Sequence, residues 1–258
     1  MSLEALPYVN WIFWGALSAG TLLAIGLTEW LGGTTRGYRL FMAVFVLIGA
    51  GIWIVSELGL APVDATSTTA EVRRALVVVF AGLGLVYAVA LWRTWPRTGL
   101  ALAGGAAGIA ALAALALAGG TSNPALFAAA LVAAAIALGS VNAAMLLGHW
   151  YLVTPKLSPA PLQRLIAVLI GALIVQGLLA AWAFVLFDGT GSESTTWLIG
   201  LRFAVGIVLP LAISFAALLA TRATSLQATT GLLYIGLAMV MAGTIGAASL
   251  SYLAGTPV

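Results

Sequence analysis

The chain has 258 residues, 63% of them hydrophobic and 7% charged, with a formal net charge of +3 and a mean hydropathy of +1.15. A soluble domain carries about a quarter charged residues, so this composition specifies a multi-pass protein of a cell (inner or plasma) membrane, its surface in contact with the lipid bilayer. The few cations sit in short loops between apolar runs, which excludes a nucleic-acid face, and the lack of cysteine excludes disulfides, thiolate metal sites, iron–sulfur ligation and a catalytic thiol.

Eight apolar runs reach the ~20 residues that a helix needs to cross a ~30 Å hydrocarbon core: roughly 8–31, 39–61, 74–95, 98–119, 124–153, 163–187, 196–221 and 228–254. The segment before the first, MSLEALPY, lacks the basic region of a signal peptide, and the run itself is too long for one. It is expected to stay in the membrane as a helix. It carries Tyr8, Asn10, Trp11 and Trp14 at its start, and Glu29 and Trp30 at its end. The second run opens with Arg39-Leu40 and ends near Trp53 and Glu57; the third spans Arg74 to Arg93. Run four opens with Thr98-Gly99-Leu100, and its middle holds only Ala, Leu, Ile and Gly.

The fifth run contains the stretch Gly139 to Leu157, with Asn142 and the single histidine, His149, followed by Trp150, Tyr151, Pro155 and Lys156. An apolar helix, an aromatic pair, a proline and a cation in that order mark a transmembrane helix arriving at a membrane surface. The sixth run opens with Arg164-Leu165 and holds Gln176. The seventh goes from Arg202 to Arg222, with Pro210 in its middle. That proline is expected to kink the helix and free the carbonyl of Gly206. The eighth opens with Thr230-Gly231-Leu232 and ends at Leu253-Ala254-Gly255.

Orientation follows from the cations. Loops after runs one, three, five and seven hold Arg36, Arg39, Arg93, Arg97, Lys156, Arg164 and Arg222. Those after two, four and six hold Asp64, Glu71, Arg73, Arg74, Asp188 and Glu193, with little net charge. The positive-inside rule therefore places both termini outside. The halves also line up as a repeat. Ser18, Leu23 and Gly26 match Ser140, Met145 and Gly148 in spacing, and the Arg-Leu and Thr-Gly-Leu openings recur in the same order. The expected fold is all-α and integral to the membrane, with eight transmembrane helices in two tandem four-helix units, residues 1–120 and 121–258. Four helices per unit keep both units in one orientation, about an axis along the membrane normal. The repeat places Gly82 opposite Pro210, so both third helices are expected to bend. Gly104-x-x-x-Gly108, Gly15-x-x-x-Ala19 and Gly243-x-x-Gly246 let helix backbones approach closely.

Polar groups inside the runs carry a cost unless they are paired, and they gather at two levels. Toward the cytoplasm lie Glu29 and His149; toward the outside lie Tyr8, Asn10, Trp11, Glu57 and Arg202. The plain reading makes the aromatics an interfacial belt, lets Arg202 snorkel to the surface, and leaves Glu29 and His149 at helix ends by the headgroups. The sharper reading is a membrane quinone site, because quinone carbonyls need hydrogen-bond donors in an apolar, aromatic cleft. In that reading Tyr8, Asn10, Trp11, Glu57 and Arg202 bind the quinone (menaquinone or ubiquinone), with Glu57 and Arg202 pairing at equal depth. His149 and Glu29 share a proton at the opposite face and act as the catalytic acid–base pair. A membrane b-haem commonly takes two axial histidines, so neither haem nor an iron–sulfur cluster is expected from this chain alone. No metal-ligand spacing is present.

The layout resembles the NrfD/PsrC/DmsC family of membrane subunits. The opening helix Trp11-Ile-Phe-Trp14-Gly15-Ala-Leu-Ser18-Ala19-Gly20 is similar to that family's aromatic-then-small start. The resemblance implies eight helices in two bundles, outside termini, no cofactor of its own, and electron exchange between a membrane quinone and an iron–sulfur partner subunit. The polysulfide-reductase branch offers a histidine and an asparagine early in the first helix; Asn10 matches the asparagine, and no histidine stands there. The expected function is a quinone-binding subunit of a respiratory or redox complex, at most a non-catalytic part of an oxidoreductase. Other subunits of that membrane complex would be its partners. A proton-coupled transporter or channel, and a cofactorless scaffold or assembly subunit, are the alternatives.

Overall fold

The computed structural model describes residues 5–64, 68–93, 95–118, 123–154, 157–186 and 193–254. Lys156 and Asp188, which enter the orientation argument, and Gly255, at the end of the eighth run, lie outside them. The regular elements among the described residues are all helices: α1 (Ala5–Leu31), α2 (Arg36–Asp64), α3 (Thr68–Arg93), α4 (Thr98–Ala118), α5 (Pro124–Val153), α6 (Ala160–Leu186), α7 (Glu193–Phe203), α8 (Leu209–Arg222) and α9 (Leu226–Ala254). A π-helical turn, Ala204–Val208, joins α7 to α8 in a single span. Eight helices are thus long and apolar enough to cross a membrane, as the runs require. Their outward faces bear large apolar side chains such as Ile48, Val55, Val79, Leu178, Val185 and Leu219. Such a shell suits lipid and would be a liability in water.

We call the end at which α1 starts the upper end, and the other the lower end. Helix α1 packs against α2 and α4, α2 against α3, and α3 against α4, which closes a ring. The fifth to eighth spans close a second ring in the same order, α5 with α6 and α9, α8 with α6 and α9. Between the rings α1 meets α5, α4 meets α5, and α1 meets α9. Helix α1 is therefore the innermost element, with 83% of its central window buried against 28% for the seventh span. Its crossing with α5 falls at Gly20 and Gly139, where a Cβ on either glycine would run into the other helix's backbone. Asn142 donates to Thr21 Oγ1 at 3.1 Å beside that crossing.

Pro210 acts upstream of itself. Proline lacks the N–H that would bond back along the helix, and the chain accommodates this with the wider π turn, in which Leu209 N–H bonds to Ala204 O. By contrast α3 runs unbroken through Gly82, so only one of the two bends expected from the repeat is a departure from α geometry. The helix without the proline has no missing donor to accommodate.

Candidate ligand site

Two groups of buried polar residues lie at the upper end, one in each ring. In the first ring, Glu57 near the end of α2 is 7% exposed. Its Oε1 accepts from Arg73 Nη2 at 2.8 Å and Nε at 3.2 Å. Its Oε2 accepts from Trp11 Nε1 at 2.5 Å. Arg74 Nε stands 3.5 Å from the same Oε1. The Arg73 guanidinium lies 5.6 Å from the Trp11 ring centroid, and Trp11 meets Trp53 edge-on at 5.2 Å. Each oxygen of the carboxylate has a donor, and the cation has a carboxylate and an aromatic face. Asn10 is exposed and donates to Ser56 Oγ at 2.5 Å.

The second ring holds a different arrangement. Arg202, in the first turns of the seventh span, is 2% exposed, so it does not snorkel. Its Nη2 donates to Gln176 Oε1 at 2.6 Å, and Gln176 Nε2 donates to Ala133 O at 3.1 Å. The guanidinium fits beside Gly206 and Gly243, where a Cβ added to either would run into the other's Cα; a Cβ at Gly206 would also stand 3.1 Å from Arg202 Nη1. That glycine pair, one member of it in the π turn, is what admits so large a cation between the two helices. Arg202 Nε has no partner, and no carboxylate among the described residues lies within ion-pair distance of the guanidinium.

Beside Arg202 is a cavity of about 10 Å³ lined by Ile12, Phe127, Ala130, Leu131, Ala134, Thr244, Ala247 and Ala248. This is about the room one water needs. Tyr8 lies one helical turn above Ile12 on the same face of α1, and its hydroxyl is 3.3 Å from Ser251 Oγ, one turn above Ala247 and Ala248 on α9. The Tyr252 ring meets that of Tyr8 at a tilt, with centroids 5.5 Å apart.

Of the five residues expected around a ligand, Arg202 lines the cavity and Tyr8 lies one turn above it, while Trp11 and Asn10 turn to Glu57 and Ser56 of α2. The Glu57–Arg202 pairing is not the one formed, because Arg73 reaches the carboxylate first. The apolar runs put Arg73 in a loop, yet α3 begins at Thr68 and carries it, 0% exposed, inside the bundle. The signal for it was Glu57 itself, a carboxylate within the membrane that needed a cation from the next helix.

No family model, curated protein or solved structure matches this chain.

The lower end separates the other expected pair. Glu29 Oε1 accepts from Arg39 Nη1 at 2.5 Å and from Arg97 Nε at 2.6 Å, and Tyr87 donates to Oε2 at 3.1 Å. His149 is exposed at the end of α5 and makes no ion pair with Glu29. The proton-sharing arrangement is therefore absent from this structure: three donors from α2, α3 and the turn before α4 already occupy the carboxylate.

Proposed function

We infer that the chain is a quinone-binding membrane subunit of a redox complex, with Arg202 as the donor to a quinone carbonyl. The observation that carries this reading is the buried guanidinium whose acceptor is a neutral amide and whose Nε–H is unused beside an apolar cavity. A buried cation lowers its cost by finding an acceptor, and a carbonyl oxygen is one that a lipid-soluble molecule brings into the membrane. The cavity holds about one water as it stands. Its walls on α5 and α9 are mostly alanine, and the hydroxyls of Tyr8 and Ser251 lie one turn above it. The NrfD/PsrC/DmsC resemblance supports the same assignment.

In this reading the two rings are tandem units with an axis along the membrane normal. Their like order of helix contacts supports it, as does the mutual pairing of α4 with α5 and of α9 with α1. A crossing on such an axis joins equivalent residues, which gives an offset of 119 from Gly20 and Gly139, against 122 from Ser18 and Ser140. The upper end is the outer one, and single cysteines at Ser2 and Thr256, but not at Ser158, should react with an impermeant reagent.

The deciding experiment measures quinone retained by the purified protein, and its displacement by a soluble quinone analogue, in wild type and Arg202→Met. A loss of tenfold or more in the variant, with unchanged thermal unfolding, is expected. Equal retention by both proteins would sink the assignment.

A further inference from the structure

A second, larger space lies away from Arg202, in the lower half of the seam between the rings. It measures about 240 Å³, far above the roughly 10–15 Å³ that admits a water. Leu23 and Leu27 of α1, Leu102 of α4, Ile136 of α5 and Val168 of α6 line it, and Ser140 supplies its one hydroxyl. Helices α4 and α6 flank it and scarcely touch each other, so it opens between them toward lipid. From Gly20 to Leu27 it follows α1 for roughly 10 Å. Its walls suit a flexible apolar chain and offer no polar head a set of partners.

The mouth supplies what the walls lack. Arg164 sits one turn below Val168 on the same face of α6, exposed, and donates to Leu31 O, one turn below Leu27 on α1. Arg97 precedes the helix that carries Leu102, and its side chain is 19% exposed. Arg39 and Arg97 share one carboxylate, Glu29, so this group keeps one net positive charge, to which Arg164 adds a second. An apolar slot roofed by uncompensated cations at a membrane surface is complementary to an amphiphile with a negative head.

We propose that this groove holds one chain of an anionic membrane phospholipid, with the lipid's phosphate at Arg164 and Arg97. The lipid seals the seam where α4 and α6 part, and so ties the two rings together at the end opposite the Arg202 cavity. The assignment is independent of the quinone reading, since it uses another cavity and other residues.

The test is native mass spectrometry of the purified protein in micelles containing phosphatidylglycerol and phosphatidylcholine with identical chains. Retention of phosphatidylglycerol at least tenfold above phosphatidylcholine is expected. Arg164→Gln, which removes the head contact, and Val168→Phe, which fills the groove, should each cut that retention about tenfold. Arg164→Lys, which keeps the charge, should restore most of it. Arg222→Gln, an exposed cation at the end of α8, should leave it unchanged. Soluble glycerol phosphate, having the head without the chains, should not displace the lipid. Equal retention of the two lipids, full retention by Arg164→Gln with normal unfolding, or one-for-one displacement by a neutral quinone would each overturn the proposal.

Discussion

The two rings meet the same difficulty at the same end of the bundle and answer it differently. In the first, Glu57 is surrounded by Arg73, Arg74 and Trp11, so charge is balanced by charge and both carboxylate oxygens are occupied. In the second, the acceptor for Arg202 among the described residues is an amide, and its Nε–H has no partner. A closed network, in which each carboxylate oxygen already has its donor, fixes the packing of α1, α2 and α3. An open one tolerates a ligand because the ligand completes it. The difference separates a structural cluster from a receptive one, although both look alike as a list of polar residues inside apolar helices.

The sharpest way to break this comparison is to remove one cation from each ring. Arg73→Met should destabilise the protein by up to about 3–5 kcal/mol, because it removes the buried cation of the Glu57 pair and leaves only the partly exposed Arg74 beside the carboxylate; thermal unfolding in detergent measures it. Arg202→Met leaves the Gln176 amide oxygen without its donor but also removes a buried cation that has no carboxylate partner among the described residues; the two effects oppose each other and should keep it within about 1 kcal/mol of wild type, well below the cost of losing a charge partner. Comparable losses in the two variants would mean that Arg202 has a counter-charge after all. Gln176→Leu should cost about 1–3 kcal/mol, the penalty for an unsatisfied buried group, and the double variant with Arg202→Met should recover most of it. Gly243→Ala pushes against the Gly206 backbone and should cost about 1–3 kcal/mol through overpacking, with reduced ligand retention because Arg202 must shift. The smallest effect is expected at His149→Gln, within about 0.5 kcal/mol for an exposed residue without partners among the described residues. A larger change in unfolding would reveal a contact that His149 makes in the assembled protein.

The eight spans were legible because hydropathy alone decides them: the runs 124–153 and 98–119 correspond to helices Pro124–Val153 and Thr98–Ala118. Where the reading erred, it stopped a helix at its charges. Run three was started at Arg74, yet α3 begins six residues earlier, at Thr68, since a charge neutralised inside the bundle no longer has to leave the membrane. Depth was readable and azimuth was not. Tyr8 and Trp11 are three residues apart on α1, and that rotation was enough to send one to α9 and the other to α2. Glu29 and His149 likewise share a depth, while their partners depend on which helices lie beside α1 and α5. Gly243 was marked as a packing residue; that the space it vacates holds a guanidinium was a matter of tertiary placement.

The contact between Gly20 and Gly139 carries a consequence for how the protein is made. Helix α1 precedes the other seven spans and has the lowest mean hydropathy of the eight, 1.5. The surface it needs on α5 lies 119 residues later in the chain. At ~5–20 residues per second, synthesis of that interval lasts about 6–24 s. Throughout it the glycine face of α1 has only lipid or insertion machinery for company. The innermost helix of the finished molecule is the one that waits longest for its neighbours, which makes α1 a natural client for whatever holds weakly hydrophobic segments in the bilayer during translation.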